Sequence, residues 1–120
     1  MDGFATSFRY AAGEDRELCD RWRAQEHELH FLPELRVDHY HALDLKGFLR
    51  LHYRYGRGAQ HYRELSAHGE RAAVNMPAFQ LGLVVSPFRT LPLPRAMGVF
   101  LLQVLSQFAH ATGYLHQRLS

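Results

Sequence analysis

Two adjacent carboxylates, Glu14 and Asp15, stand directly after Gly13, where a glycine turn gives way to a helical pattern. A carboxylate in the first turn of a helix is held rigidly, and the positive end of the helix dipole favours its ionised form by about 0.3 to 1 kcal/mol. A general base that takes a proton from a hydroxyl group needs both properties. Acids are also common in first turns for structural reasons, so a purely structural role stays open.

Two histidines, His39 and His41, follow the acid pair along the chain. On an extended segment, residues two apart point to the same face, so the two imidazoles could share a metal ion or a phosphate. Zinc usually takes three or four protein ligands, and magnesium prefers oxygen donors. A polar strand edge is therefore an equally good interpretation of this pair.

A row of cationic side chains comes next, spaced to lie on one face of a helix: Lys46, Arg50, Arg54 and Arg57. The planar guanidinium suits phosphate recognition, so we expect Arg54 and Arg57 to bind phosphate groups. Anionic lipid headgroups or water are the alternative neighbours of this face. The glycines at 56 and 58 predict either a close backbone approach to a ligand or an interruption of the helix.

Apolar spacing predicts the elements that carry these groups. It favours a helix from Glu14 to about Gln25 and a second helix that Asp44 caps. Between them, alternating patterns over 29–32 and 35–39 predict two short strands.

The last third of the chain is more apolar. Prolines divide residues 72–94 into short broken apolar segments, whereas residues 96–115 contain no Asp, Glu, Lys or Arg and predict an apolar helix. Its length is close to the ~20 residues of a membrane span. Polar side chains such as Gln103 and His110 favour a packed or interfacial helix over a spanning one.

The 120 residues are one domain's length, with a formal charge of +2. So small a charge argues against a nucleic-acid partner. Cys19 is the one cysteine, and no secretory signal is evident, so we expect a cytoplasmic protein, with peripheral attachment to the cytoplasmic membrane face as an alternative.

Together these motifs resemble the C-terminal portion of family 2 glycosyltransferases, which are inverting enzymes of the GT-A fold that use nucleotide sugars. Four groups of residues carry the resemblance: Gly3-Phe4; Gly13-Glu14-Asp15-Arg16-Glu17-Leu18-Cys19-Asp20-Arg21-Trp22; Pro33 to His39; and Phe48, His52, Tyr55, Gly56, Arg57, Gly58 and Ala59.

The resemblance implies roles for individual residues. Asp15, the second acid of the pair, corresponds to the catalytic base, with Glu14 beside it. His39, with His41 as its neighbour, corresponds to the residue that helps hold a divalent metal, Mg or Mn, on the nucleotide diphosphate. The implied partners are a nucleotide-sugar donor and a glycan or lipid acceptor.

The chain also departs from the family pattern. Ala5 replaces the aspartate expected after Gly-Phe, and no Asp-x-Asp motif occurs. We therefore expect a fragment that lacks the nucleotide-binding half, which a separate chain would supply, and that does not turn over nucleotide sugar by itself.

The expected fold is an α/β fragment of a GT-A fold, mostly helical, with two short strands and a C-terminal apolar helix. Residues 1–43 would end the catalytic core, and residues 44–120 would form a helical extension associated with a membrane. The alternative function is a non-enzymatic module that binds a membrane surface.

Overall fold

A computed structural model describes residues 3–8, 12–40, 42–65 and 77–120. This part of the chain contains four helices and no strand: α1 (Glu14–Ala24), α2 (Leu45–Leu65), α3 (Pro77–Thr90) and α4 (Leu93–Leu119). Helix α4 packs against both α2 and α3, and α1 packs against α2.

The expected α/β fragment of a GT-A fold is wrong. The two segments predicted as short strands, 29–32 and 35–39, form a turn and irregular backbone. The Leu35 N–H donates to the Leu32 carbonyl at 3.1 Å, while Phe31 and Val37 are each 88% exposed. An alternating pattern becomes a strand only beside another strand that pairs with its backbone groups, and the described residues provide none.

Helix α1 confirms the prediction of a helix that starts at Glu14. Gly13 precedes it in the left-handed conformation, with φ of 99°, and its carbonyl accepts the Glu17 N–H at 3.0 Å. Glu17 and Arg21, one turn apart on this helix, form an ion pair at 2.9 Å.

Helix α2 confirms Asp44 as a cap but not the interruption at the glycines. The Asp44 carboxylate accepts the Gly47 N–H at 2.7 Å, and the helix then continues through Gly56 and Gly58. A Cβ at Gly56 would lie 1.9 Å from the His110 carbonyl oxygen. The glycine therefore serves close packing between protein backbones rather than a break in the helix.

A glycine on α4 also allows close packing at the α2–α4 contact. A Cβ at Gly113 would lie 2.0 Å from the Tyr53 carbonyl oxygen, so each helix offers a glycine where the other comes close. Three side-chain hydrogen bonds join the helices here: Tyr53 with His116, Arg57 with Gln117, and Arg63 with Tyr114.

Helices α3 and α4 form an antiparallel hairpin. Gln103 donates to the Leu83 carbonyl at 2.9 Å, and the rings of Phe88 and Phe100 lie 5.9 Å apart. The prediction of short broken segments before residue 94 is wrong for α3, which accommodates Pro87 within it. The predicted apolar helix is present as the longer α4, and in the described residues no helix is long and apolar enough to cross a membrane.

Burial is slight for a chain of this size. The buried apolar side chains are Ala12, Tyr62 and Ala96, and no large side chain is completely buried in the described part. The accessible surface is 10182 Å², whereas a compact monomer of 13.9 kDa exposes about 6,700 Å². Much apolar surface is therefore open to contact with other molecules.

Candidate functional site

The two acids at the start of α1 have different surroundings. Asp15 is exposed, and its Oδ1 accepts the Arg16 N–H at 2.8 Å. Glu14 is half-buried, and its Oε2 is shielded from solvent without a hydrogen-bond partner among the described residues. Asp15 is thus the acid that an incoming hydroxyl group can reach.

The turn before these acids lies directly against α2. A Cβ at Gly58 would lie 1.9 Å from the Ala12 carbonyl oxygen, and one at Gly13 would lie 3.2 Å from the Gly58 carbonyl oxygen. Two separate motifs, the Gly-Glu-Asp turn and the Gly-Arg-Gly segment, therefore touch each other. Sequence spacing gave no reason to expect this contact.

Side chains further along α1 fix its position on α2. The Tyr62 hydroxyl donates to the Asp20 carboxylate, and the Arg16 guanidinium lies over the Tyr62 ring, 5.6 Å from its centroid. Arg21 donates to the Gly3 carbonyl at 2.8 Å, which ties the N-terminal segment to the same helix. Together these contacts orient the first turn of α1, where Asp15 lies.

A cleft of about 300 Å³ opens beside this contact. Its lining combines donor groups with an aromatic ring and a glycine: Ser7, Phe8, Arg57, Gly58, His61, Gln117 and Ser120. Among the described residues no Asp or Glu side chain lines it, and the donors of Arg57 and His61 suit an anionic, oxygen-rich group such as a phosphate.

Polar contacts order the walls of the cleft. Arg57 Nε donates to Gln117 Oε1 at 2.9 Å, and His61 Nε2 lies 3.2 Å from Ser7 Oγ. The Phe8 ring meets His61 edge-on, with centroids 4.7 Å apart. The other ring nitrogen of His61 lies 3.6 Å from Glu64, which is too long for a hydrogen bond, so these groups do not form a hydrolase-like triad.

The structure brings together only some of the predicted site residues. Arg57 lines the cleft, whereas Glu14 and Asp15 do not. Gly58, which also lines it, contacts the turn before these acids. Arg54 is exposed on α2 and is not among the lining residues.

The structure describes one of the two predicted metal ligands. His39 lies in the irregular segment between α1 and α2, and His41 lies outside the described residues. Throughout the described ranges, no group of three or more His, Cys, Asp or Glu side chains is arranged to hold a metal ion.

Sequence reasoning missed several residues of the cleft. His61 follows Arg57 by four residues on α2, so extending the cationic row by one helical turn would have found it. Ser7, Gln117 and Ser120 come from distant parts of the chain, and no local pattern marks them.

Two other histidines face the contact between α2 and α4. Burial lowers the pKa of His52 and of His110 below the usual 6.5, and the nearby positive charge of protonated His52 lowers the pKa of His110 further. His52 also stacks edge-on against Phe48, with centroids 4.4 Å apart. Both groups favour the neutral form in the folded chain.

Comparison with models of protein families, with curated proteins and with solved structures finds no match for this chain. Functional inference therefore depends on the motifs and on the geometry described above.

Proposed function

We propose that this chain contributes the acceptor side of an inverting sugar transfer from a nucleotide sugar, with Asp15 as the general base. The donor-binding half, with the Asp-x-Asp motif that these 120 residues lack, comes from outside them. The chain by itself is not expected to turn over nucleotide sugar.

One observation carries this proposal. The two most specific motifs behind the resemblance to family 2 glycosyltransferases, the Gly-Glu-Asp turn and the Tyr-Gly-Arg-Gly-Ala segment, are in direct contact through Gly13 and Gly58. They are separated by more than forty residues, and a Cβ at Gly58 would clash with the Ala12 carbonyl oxygen of the turn. The contact supports the proposal because it places the two motifs side by side in the fold.

The proposed chemical step is a single displacement. The Asp15 carboxylate takes the proton of an acceptor hydroxyl, and the hydroxyl oxygen forms a bond to the anomeric carbon. The bond from that carbon to the diphosphate oxygen breaks on the opposite face, and its electron pair leaves with the nucleoside diphosphate. The configuration at the anomeric carbon is inverted.

The cleft provides the second part of the proposal. Charge accumulates on the diphosphate as it leaves, and a positively charged, fork-shaped donor stabilises such charge. Arg57 is the residue of the cleft suited to this role, with His61 and Ser7 as further donors. Arg54 lies on the same helix but outside the cleft, so we assign it no direct role in stabilising the diphosphate.

Among the described residues, no three His, Cys, Asp or Glu side chains are grouped to hold a metal ion, so the proposal assigns no resident metal to them. A divalent ion would take its ligands mainly from the donor half and the diphosphate. Within this chain, Asp15 acts as a proton acceptor only.

A graft tests the proposal. This chain would replace the corresponding C-terminal segment of an active family 2 glycosyltransferase, and transfer from that enzyme's nucleotide sugar to its acceptor would be measured. We expect transfer with inverted stereochemistry. A graft with native helical content by circular dichroism and intact donor binding, but no transfer, would contradict the proposal.

A further inference from the structure

Helix α4 carries a continuous apolar stripe that no other described element covers. At about 100° per residue, six exposed apolar side chains lie within an arc of about 80° along the whole helix. These residues, here called the α4 stripe, are Leu93, Met97, Leu101, Phe108, Leu115 and Leu119. With a rise of about 1.5 Å per residue, the stripe is about 39 Å long.

The packing of α4 explains why this stripe stays exposed. Residues that contact α3, such as Phe100 and Gln103, and residues that contact α2, such as Gly113 and Gln117, lie outside the arc of the stripe. The same side of α4 therefore packs against both α2 and α3, and the stripe lies on the other side. Phe108 remains 69% exposed and Leu119 remains 85% exposed.

An exposed apolar surface of this length is unusual on a free monomer. The accessible surface of the chain exceeds that of a compact monomer by about half, and each of the six side chains of the stripe is at least half exposed. A narrow stripe along one helix, with polar and packed groups elsewhere on it, is the geometry of a helix that lies in a membrane interface.

Charge distribution distinguishes a lipid surface from a second copy of the chain. Residues 71–120 contain no Asp or Glu, and two exposed arginines lie on the hairpin: Arg89 near the end of α3, and Arg118 on α4, about 20° beyond the edge of the stripe. A second copy of this hairpin would offer these arginines no acidic partner. An anionic headgroup layer would instead neutralise them while its acyl region accepts the leucines.

We propose that the α3–α4 hairpin lies flat in the surface of an anionic phospholipid bilayer, with the α4 stripe inserted and with Arg89 and Arg118 on the headgroups. This interaction goes beyond the sugar transfer proposed above and does not depend on it. It attaches the chain to a membrane without requiring a spanning helix.

Vesicle flotation of the full chain tests this proposal. We expect the chain to float with vesicles that mix phosphatidylglycerol and phosphatidylcholine, and to float weakly with phosphatidylcholine vesicles. Leu101→Gln with Phe108→Gln should lower the partition coefficient at least about tenfold per side chain, since each loses its burial in the acyl region. Arg89→Gln and Arg118→Gln should each lower it about fivefold on anionic vesicles.

Matched variants control for altered surface composition. Phe31→Gln with Leu35→Gln makes the same chemical change at exposed positions in the irregular segment, and we expect wild-type flotation. Equal flotation of the stripe variant and the wild-type chain would overturn the proposal. It would also be overturned by a concentration-dependent dimer in sedimentation that the stripe variant abolishes, without vesicle binding.

Discussion

At the scale of single residues, glycines decide how closely the parts of the candidate site approach. Gly58 brings the backbone of α2 against Ala12, and Gly56 brings it against His110. The glycine pair is visible in the sequence, but it predicted an approach to a ligand or an interruption of the helix, and the structure shows packing against other backbone segments instead. The partner in that approach was not predictable, because Ala12 and His110 come from segments far away in the chain.

Substitution Gly58→Ala should destabilise the fold. The new Cβ would meet the Ala12 carbonyl 1.9 Å away, which forces α1 and α2 apart, and such overpacking costs about 1–3 kcal/mol. The free energy of unfolding in urea measures this cost. Gly98→Ala is the matched control, since nothing lies within 4 Å of its Cβ position and alanine favours the helix by up to about 1 kcal/mol. Equal stability of the Gly58→Ala variant and the wild type would refute the tight contact.

Arg57 should be the main anion-binding residue of the cleft. Inorganic diphosphate added to the ¹⁵N-labelled chain should shift the NMR signals of Arg57, His61 and Gln117 together, because all three line the cleft. Arg57→Gln should weaken binding by about tenfold or more, as expected when a charged hydrogen bond is lost. The control is Arg54→Gln, on the same helix but outside the lining. If the two variants bind equally, the cleft is not the anion site.

At the scale of elements, the starts of α1 and α2 and the apolar helix α4 were predictable, whereas α3 and the irregular backbone between α1 and α2 were not. The cap at Asp44 and the acids at the start of α1 are local signals, and a helix satisfies its own backbone hydrogen bonds. The alternation around Phe31 and Val37 predicted strands, but a strand requires a neighbour that the described residues do not contain. The expected α/β fragment of a GT-A fold was wrong for the same reason, because it depended on these two strands.

Removal of the Asp44 side chain tests whether this residue stabilises α2 as its N-cap. Asp44→Ala leaves the Gly47 N–H without its side-chain acceptor, and loss of an N-cap costs about 0.5–2 kcal/mol. Thermal unfolding followed by circular dichroism should show a lower midpoint. Asp38→Ala removes one negative charge from the irregular segment and should leave the midpoint unchanged. A similar effect of the two substitutions would mean that charge, and not capping, is responsible.

At the scale of the whole molecule, stability should fall as the pH drops below about 6.5. His52 and His110 have lowered pKa values in the folded chain, so the unfolded chain binds more protons in this range and is favoured by acid. Urea unfolding between about pH 7.5 and pH 5.5 measures this loss.

Variants separate these two histidines from the others. His52→Gln with His110→Gln should flatten the pH dependence, because the groups that resist protonation in the folded state are gone. His30→Gln, at an exposed ion pair with Glu28, is the control and should keep the wild-type slope. An unchanged slope in the double variant would place the pH dependence elsewhere.

The components of the candidate site were predictable from the sequence, but their arrangement in space was not. The acid pair, the arginine row and the apolar C-terminal helix are each readable as separate patterns. Their arrangement is not, because the cleft depends on Gln117 and Ser120 returning to the side of α2 that faces Ser7. Only packing of α4 on α2 produces that juxtaposition.

The turnover number of the Asp15→Asn variant, in the graft described above, tests the central proposal most directly. If the Asp15 carboxylate takes the acceptor proton, kcat should fall about 10²-fold or more while donor affinity is retained, and Glu14→Gln should have a smaller effect. A near-wild-type kcat for Asp15→Asn in a folded, donor-binding graft would contradict the assignment of Asp15 as the base.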